Sequence, residues 1–357
     1  MERIKDLYKK LTTPDSLKQF NSHHLNCLLN PTEDSTASDA DYREFKDELQ
    51  AIPLFQDILE SGRPVYAMIA PAFIGQFEPK VSPGKLRAAF KQLGFAGMVE
   101  VALFADILTL KEALEFDRAV KTETDYMLTS CCCPIWLAMC RKAGLMDHMP
   151  GSVSPMIACG RAIKRLHPDA LTVFIGPCVA KKAEAKEADI ADAVDYVLTF
   201  QEIKEIFDLA EISIYELPED DREHSSTAGR IYAYSGGVSQ AVRGCLNRLR
   251  PYRAIPLTAE HADGVAGCRE LIERVKSGDI TANFIEGMGC IGGCVGGPRS
   301  LTDAEHGKQH VAEYGEEAVY ISPAENPYVI ELLNRLGFST VEELLEKDDI
   351  FTRHFNC

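Results

Sequence analysis

Cysteine and glycine supply most of the residues in this sequence that could do chemistry. Twelve cysteines occur in 357 residues, too few for a small disulfide scaffold, and they are clustered. Cys131, Cys132 and Cys133 are consecutive. Cys290 and Cys294 lie in a run that also holds Gly287, Gly289, Gly292, Gly293, Gly296 and Gly297. Consecutive cysteines pair poorly, because a disulfide constrains both Cα spacing and Cβ direction. Metal or cluster ligation in a reducing compartment is therefore the better reading. The step from Cys290 to Cys294 is too wide for a CxxC redox pair or a zinc knuckle. With Cys133 and Cys178 these two supply four thiolates, the ligand count of a [4Fe–4S] cubane. The glycines let backbone approach a large ligand closely, and their N–H groups can donate to cluster sulfides.

Four segments carry this chemistry: IAPAFIGQF from Ile69, TSCCCPIW from Thr129, FIGPCVAKKAEA from Phe174 and EGMGCIGGCVGGP from Glu286. The three with cysteines each follow an apolar run that reads as a strand. The pattern predicts strands at Pro64 to Ile69, Gly97 to Leu103, Tyr126 to Leu128, Leu171 to Ile175, Tyr196 to Phe200, Ile231 to Tyr234 and Asn283 to Ile285. Helices are expected at 84–93, 107–121, 135–143, 154–165, 201–209, 237–249, 266–277, 326–336 and 340–347. This alternation implies α/β architecture with parallel pairing. Two groups of strands suggest two lobes, about 61–168 and 169–300, within a main body of 61–340. Residues 1–60 form a helical, peripheral segment and 341–357 a helical tail. Ligands in open α/β sheets sit beyond the carboxyl ends of strands, so three distant loops are expected to converge on one cleft. Ser235, Gly236 and Gly237 read as a strand-to-helix turn lining it. Glu112 and Glu115, three apart, share one helix face.

Lys and Arg total 38 and Asp and Glu 54, a net charge of −16. This argues against nucleic acid or an anionic membrane as partner. The charged start, Met1 to Lys10, has no apolar core of a secretory signal, and no stretch of about 18 apolar residues occurs; a cytoplasmic location is expected. Residues 1–60 contain only Cys27, so no accessory ferredoxin-like cluster domain is expected there.

The three cysteine loops resemble the signature of the [FeFe]-hydrogenases, with family patterns TSCCPxW, MPCxxKxxE and ExMxCxxGCxxGG, over roughly residues 63–340. The resemblance implies a two-lobed catalytic domain, each lobe a mostly parallel sheet flanked by helices, with the cluster in the cleft between them. It implies an H-cluster: a [4Fe–4S] cubane joined through one cysteine sulfur to a two-iron subcluster carrying CO, cyanide and azadithiolate. Cys133, Cys178, Cys290 and Cys294 then match the cubane ligands, with Cys294 shared between the two parts. Ala70 and Pro71 match residues lining the two-iron site, Met288 matches the family's methionine in the third motif, and Pro177 is expected to bind the cofactor with them. Lys181 matches the lysine beside a cyanide ligand. Glu112 and Glu115 match the proton-path glutamates.

The family has two cysteines where this chain has three. Pro134 forces extended geometry on Cys133, and side chains alternate along an extended chain. Cys132 then faces away from the cubane and takes the proton-relay position, while Cys131 is read as structural.

Several positions depart from the pattern. Gly176 and Met156 stand where methionine and glutamine are usual, and Gly176 is expected to leave space beside the two-iron unit. The proton-path serine has no clear match near Pro150 to Ser152, and Ala119 replaces the path's arginine. These departures resemble the divergent, sensory-type branches. Cys140, Cys159, Cys245 and Cys268 read as core residues, Cys357 as free, and the histidines, His23 and His24 included, as structural.

The implied function is reversible reduction of protons to dihydrogen, with a ferredoxin-type carrier as electron partner and maturation proteins as assembly partners. A hydrogen sensor with a signalling partner is one alternative. A non-catalytic iron–sulfur assembly paralogue is another; the complete first motif and Lys181 argue against it.

Overall fold

The computed structural model describes residues 2–11, 50–78, 80–220, 224–347 and 350–355. The expectations for Cys27, His23, His24, Asn30 to Asp41 and Cys357 lie outside them. Two fully parallel sheets organise the chain. The larger runs β2 (Gly97–Glu100), β1 (Val65–Ile69), β4 (Leu171–Gly176), β5 (Tyr196–Thr199). The smaller runs β3 (Met127–Leu128), β7 (Phe284–Met288), β6 (Ala259–Asp263). Every strand pair among the described residues is parallel. The α/β architecture of parallel sheets flanked by helices is as the sequence predicts.

The helices are α1 (Glu2–Leu11), α2 (Ala51–Glu60), α3 (Pro83–Gln92), α4 (Ala102–Ala119), α5 (Pro134–Ala143), α6 (Pro155–Leu166), α7 (Ala180–Glu184), α8 (Phe200–Leu209), α9 (Thr227–Arg230), α10 (Gly237–Leu249), α11 (Gly264–Ser277), α12 (Ala304–Glu316), α13 (Pro327–Arg335) and α14 (Glu343–Glu346). Their starts have local causes. Ser82 and Ser154 cap α3 and α6 ahead of a proline at the first helical position, where its missing N–H costs nothing. Thr199 and Glu202 form a capping box on α8.

Two corrections follow. The lobe boundary near residue 168 does not divide the sheets: β1 pairs with both β2 and β4, and β3 pairs with β7. Parallel neighbours are joined through long crossovers, so sheet neighbours here are far apart in sequence. The strand expected at Ile231 to Tyr234 is instead the helical turn α9 and a 3-10 turn, Ile231–Ala233. The Asp106 carboxylate of α4 accepts from the backbone N–H groups of Ser226 and Gly229. It thereby satisfies free N–H groups at the start of α9. Ile231, Tyr232 and Ala233 are all buried, and a short run buried on every side has no period to separate strand from helix.

One large apolar cluster fills the space around the first sheet, and a second joins β3, β7, α5 and α11. No described helix is long and apolar enough to cross a membrane.

Candidate active site

The carboxyl ends of four strands carry the four motif segments. β1 runs into Ala70 and Pro71, and β4 into Pro177 and Cys178. β3 runs into Thr129 to Cys133, and β7 into Gly289 and Cys290. Within each sheet the two strands concerned are neighbours. Their ends are tied by Ala70 N donating to Ile175 O (2.8 Å) and Thr129 N donating to Ile285 O (2.8 Å).

The four motif cysteines come together. Cys294 lies in the electrostatic range of Cys133 and Cys178, and Cys290 in that of Cys178, Cys133 and Cys294. Gly289 N donates to Cys133 Sγ at 3.3 Å. Cys178 Sγ accepts from the backbone N–H groups of Ala180 and Lys181 at the start of α7, although burial outweighs them and pushes the thiol up to about 11. Burial, then the neighbouring thiols Cys133 and Cys178, push Cys294 up to about 12. Among the described residues no three His, Cys, Asp or Glu side chains converge on a point that one metal ion could fill.

The glycines of the third segment leave room that no side chain could share. A Cβ at Gly289 would lie 2.7 Å from Ile135, and one at Gly297 2.7 Å from Pro177. Gly293 has φ +96° and ψ −156°, a region open essentially to glycine alone. A Cβ there would lie 2.7 Å from Ser235 N and 2.8 Å from Met288 Sδ. Ser235 N donates to Gly292 O at 3.0 Å, and Gly236 N to Glu286 Oε1 at 2.8 Å. The turn expected from Ser235 and Gly236 therefore packs on the cysteine loop, starting α10. The hydroxyls of Ser130 and Ser235 are buried and have no hydrogen-bond partner among the described residues.

The first cysteine loop departs from the extended geometry that its proline suggests. Ser130 has φ +61°, and Cys133 N donates to Ser130 O at 2.9 Å, so Cys131 and Cys132 occupy the centre of a tight turn. Cys133 alone is extended, at φ −98° and ψ 106°. The alternation of facing drawn from Pro134 therefore fails as an argument. Cys132 nevertheless lies beside Cys294, Lys181 and Cys133. Cys131 is more than filler: its Sγ donates to Glu112 Oε1 and Val153 O, both at 3.8 Å.

Lys181 is buried. Its Nζ donates to Cys132 O at 2.8 Å and to Glu184 Oε2, whose other oxygen accepts from Ser154 Oγ at 2.5 Å. Burial opposes its charge, but the carboxylate of Glu184 and the thiols of Cys132 and Cys178 outweigh it and hold its pKa above the usual lysine value.

Glu112 and Glu115 are both buried in α4, with opposite surroundings. Glu112 accepts from Thr129 Oγ1 and Cys131 Sγ. Burial pushes its pKa up to about 8; Thr129 opposes this and the negative charge of Glu115 adds to it. Glu115 Oε1 accepts from Lys111 Nζ (2.6 Å) and Oε2 from Ser152 Oγ (3.1 Å). Glu115 also borders an open pocket of about 380 Å³ with Arg118, Ala119, Asp125, Asp147, His148 and Gly151. The motif pattern offers no clear serine here, yet Ser152 reaches Glu115 across the fold. Lys111 escapes a sequence reading because a lysine in a helix reads as solvated surface.

Gly176 does not leave space. A Cβ there would lie 2.8 Å from the Phe174 ring and 3.1 Å from Ala70 Cβ. Residues two apart in a strand share a face, and the Phe174 ring folds over the glycine. Met156 is buried at the start of α6. Cys140, Cys159, Cys245 and Cys268 are buried as expected. However, Cys140 and Cys268 both have Cys133 as an electrostatic neighbour.

Residues 63–298 match the family described as iron only hydrogenase large subunit, C-terminal domain. Iron hydrogenase 1 of Clostridium pasteurianum is 27% identical over 257 residues, covering 60% of this chain and 45% of that protein. The cytosolic iron-sulfur assembly component 3 of Bos taurus is 25% identical over 279 residues, covering 63% of this chain and 58% of that protein. The chain spans about half the length of the first of these hydrogenase relatives. Among solved structures, a variant of the [FeFe]-hydrogenase HydA1 from Chlamydomonas reinhardtii superposes with TM-score 0.65 at 20% identity. It covers 84% of this chain and 98% of that one, a likeness of fold.

Proposed function

This chain belongs to the iron-only hydrogenase family, and on that premise we propose that it is an [FeFe]-hydrogenase that interconverts protons and dihydrogen. The observation that carries the reading is the convergence of Cys133, Cys178, Cys290 and Cys294 from three strand ends. These are the ligands proposed for a [4Fe–4S] cubane. The residues fit such a group. The thiols of Cys178, Cys290 and Cys294, which burial resists ionising, need a cationic partner to become thiolates. The glycine loop leaves a cradle that a Cβ would fill, and the hydroxyls of Ser130 and Ser235 await partners. When bound, the H-cluster supplies the redox and hydrogen-splitting chemistry.

The chain supplies the surroundings. Cys133, Cys178, Cys290 and Cys294 would hold the cubane, and Cys294 would also serve the two-iron unit. Ala70, Pro71, Pro177 and Met288 would wall that unit, with Phe174 taking the volume beside Gly176. Lys181, held between Glu184 and the Cys132 carbonyl, presents a fixed positive charge to an anionic ligand. Cys132 relays a proton toward Glu112, which burial keeps protonated near neutral pH, and Glu115 passes it to the pocket. Electrons come from a ferredoxin-type carrier, and maturation proteins insert the two-iron unit in the cytoplasm.

A second reading, an iron–sulfur protein without the two-iron unit, is favoured by the likeness to the bovine iron-sulfur assembly component. Iron analysis tests the ligand set. Protein made without maturation proteins is expected to bind about four irons per chain, the content of one cubane, and Cys178→Ala to lose most of the cluster absorbance. A Cys178→Ala variant with full absorbance refutes the assignment.

A further inference from the structure

Lys111 lies on α4 immediately before Glu112, yet its side chain is 2% exposed. An ammonium has three hydrogens to donate, and here all three have acceptors: Glu115 Oε1 at 2.6 Å, Gly151 O at 2.9 Å and Ser152 Oγ at 3.1 Å. Ser152 Oγ in turn donates to Glu115 Oε2 at 3.1 Å. Both carboxylate oxygens of Glu115 are therefore engaged by donors, one of them charged. The segment supplying the other two acceptors is itself fixed. Val153 N donates to Phe351 O and Arg353 N to Gly151 O, each at 3.2 Å, and Ser152 pairs antiparallel with Thr352. Glu112 has no such ion pair among the described residues; its partners are the Thr129 hydroxyl and the Cys131 thiol.

We propose that Lys111 is a positioning residue that pins Glu115 as an anion at the outer end of the Glu112–Glu115 pair, so that a proton leaving Glu112 meets a fixed acceptor facing the pocket. The transfer breaks the O–H bond on Glu112 and forms one on Glu115, which then releases the proton to water in the pocket. Glu112 stays anionic until it is reprotonated from the cysteine side. No electron is exchanged. Use of this step in turnover rests on the function proposed above; the charge arrangement does not.

Among the described residues, the other titratable or charged groups facing this pair are few, the Cys131 thiol of the first cysteine loop among them. Glu112 and Arg118 come from α4, and Asp125, Asp147 and His148 from the pocket rim. Glu286 of β7 acts on Glu112 from the interior. The Arg353 guanidinium is engaged elsewhere, by Glu187 and Asp189. Without the ammonium, the Ser152 hydroxyl is the one hydrogen-bond donor left to Glu115 among the described residues, and burial then favours its protonated form.

The test is the infrared carbonyl stretch of protonated carboxyl groups, read near neutral pH on the full chain as isolated. Lys111→Met is expected to gain the signal of one protonated carboxyl, which disappears again when Glu115→Gln is added. Lys111→Arg keeps the charge and is expected to gain none. Glu115→Gln alone is expected to remove no carbonyl signal from the parent spectrum, a result that does not depend on Lys111→Met folding. A Lys111→Met spectrum without the added carboxyl, or a parent signal that Glu115→Gln abolishes, overturns the proposal. The readout involves no hydrogen, so it separates the two readings. Expected bands without hydrogen turnover sink only the function. Turnover with an unchanged Lys111→Met spectrum sinks only the pinning.

Discussion

Replacing Glu112 by glutamine isolates the cost of burying an ionisable acid in α4. In the folded chain burial raises this carboxyl from 4.5 to about 8. Between those values the folded state holds a proton that the unfolded chain has lost, so its stabilising contribution is complete below about pH 4.5 and falls as pH rises through about 8. Each pKa unit is worth about 1.4 kcal/mol, which sets an upper bound of about 5 kcal/mol on the loss. Relaxation around the charged form lowers this to a few kcal/mol. The substituted glutamine cannot ionise, and its amide offers both a donor and an acceptor to Thr129 and Cys131. The stability of Glu112→Gln relative to the parent is therefore expected to rise with pH by a few kcal/mol. Urea midpoints measured for both proteins from about pH 5 to about pH 9 read this difference. Asp106, also raised by burial, is common to both and cancels. A difference that stays flat across the window refutes the claim that Glu112 is buried as an acid.

Three further outcomes are expected. Gly293→Ala must enter a backbone region that costs about 1–3 kcal/mol and meet Ser235 N and Met288 Sδ; it should lower both thermal stability and iron content, and wild-type values for both would contradict the cradle. Cys132→Ala should keep the cubane but cut hydrogen turnover by at least about 10²-fold, whereas Cys131→Ala, which removes only a weak S–H donor to Glu112, should have the smaller effect; the reverse order assigns the relay to Cys131. Matured protein assayed for hydrogen evolution from a low-potential dye should turn over at or below roughly 10 s⁻¹, because Gly176, Met156 and Ala119 lack the groups usual at those positions; rates above about 10³ s⁻¹ would show that the Lys111–Ser152–Glu115 arrangement makes good the loss.

The convergence of the cysteine motifs was more legible in the sequence than the sheet pairing that produces it. Cysteines as far apart along the chain as Cys133 and Cys294 are brought together. Their motifs announce this, because each is a run of residues with few other uses. The strands before them were also readable, since β1, β4 and β7 are buried almost throughout. Sheet pairing was not readable: crossovers place β4 beside β1 and β7 beside β3, and no local pattern encodes a neighbour that distant. β6 was missed because it is a half-exposed edge strand, AEHAD, with no apolar alternation. The turn at Ser130 was missed because a single positive φ in a non-glycine residue leaves no mark in composition. Lys111 and Ser152 were missed because only the packing of Gly151–Val153 on α4 and on residues 351–353 buries them together.

The most direct test of the central claim is an infrared spectrum of protein produced with the maturation system, read together with hydrogen evolution by the same sample. The proposed function predicts CO and cyanide stretching bands in the matured protein, their absence from protein made without maturation, and hydrogen formation only where the bands are present. A protein that carries its cubane but shows neither bands nor hydrogen after maturation would contradict the hydrogenase reading and leave an iron–sulfur protein of another purpose.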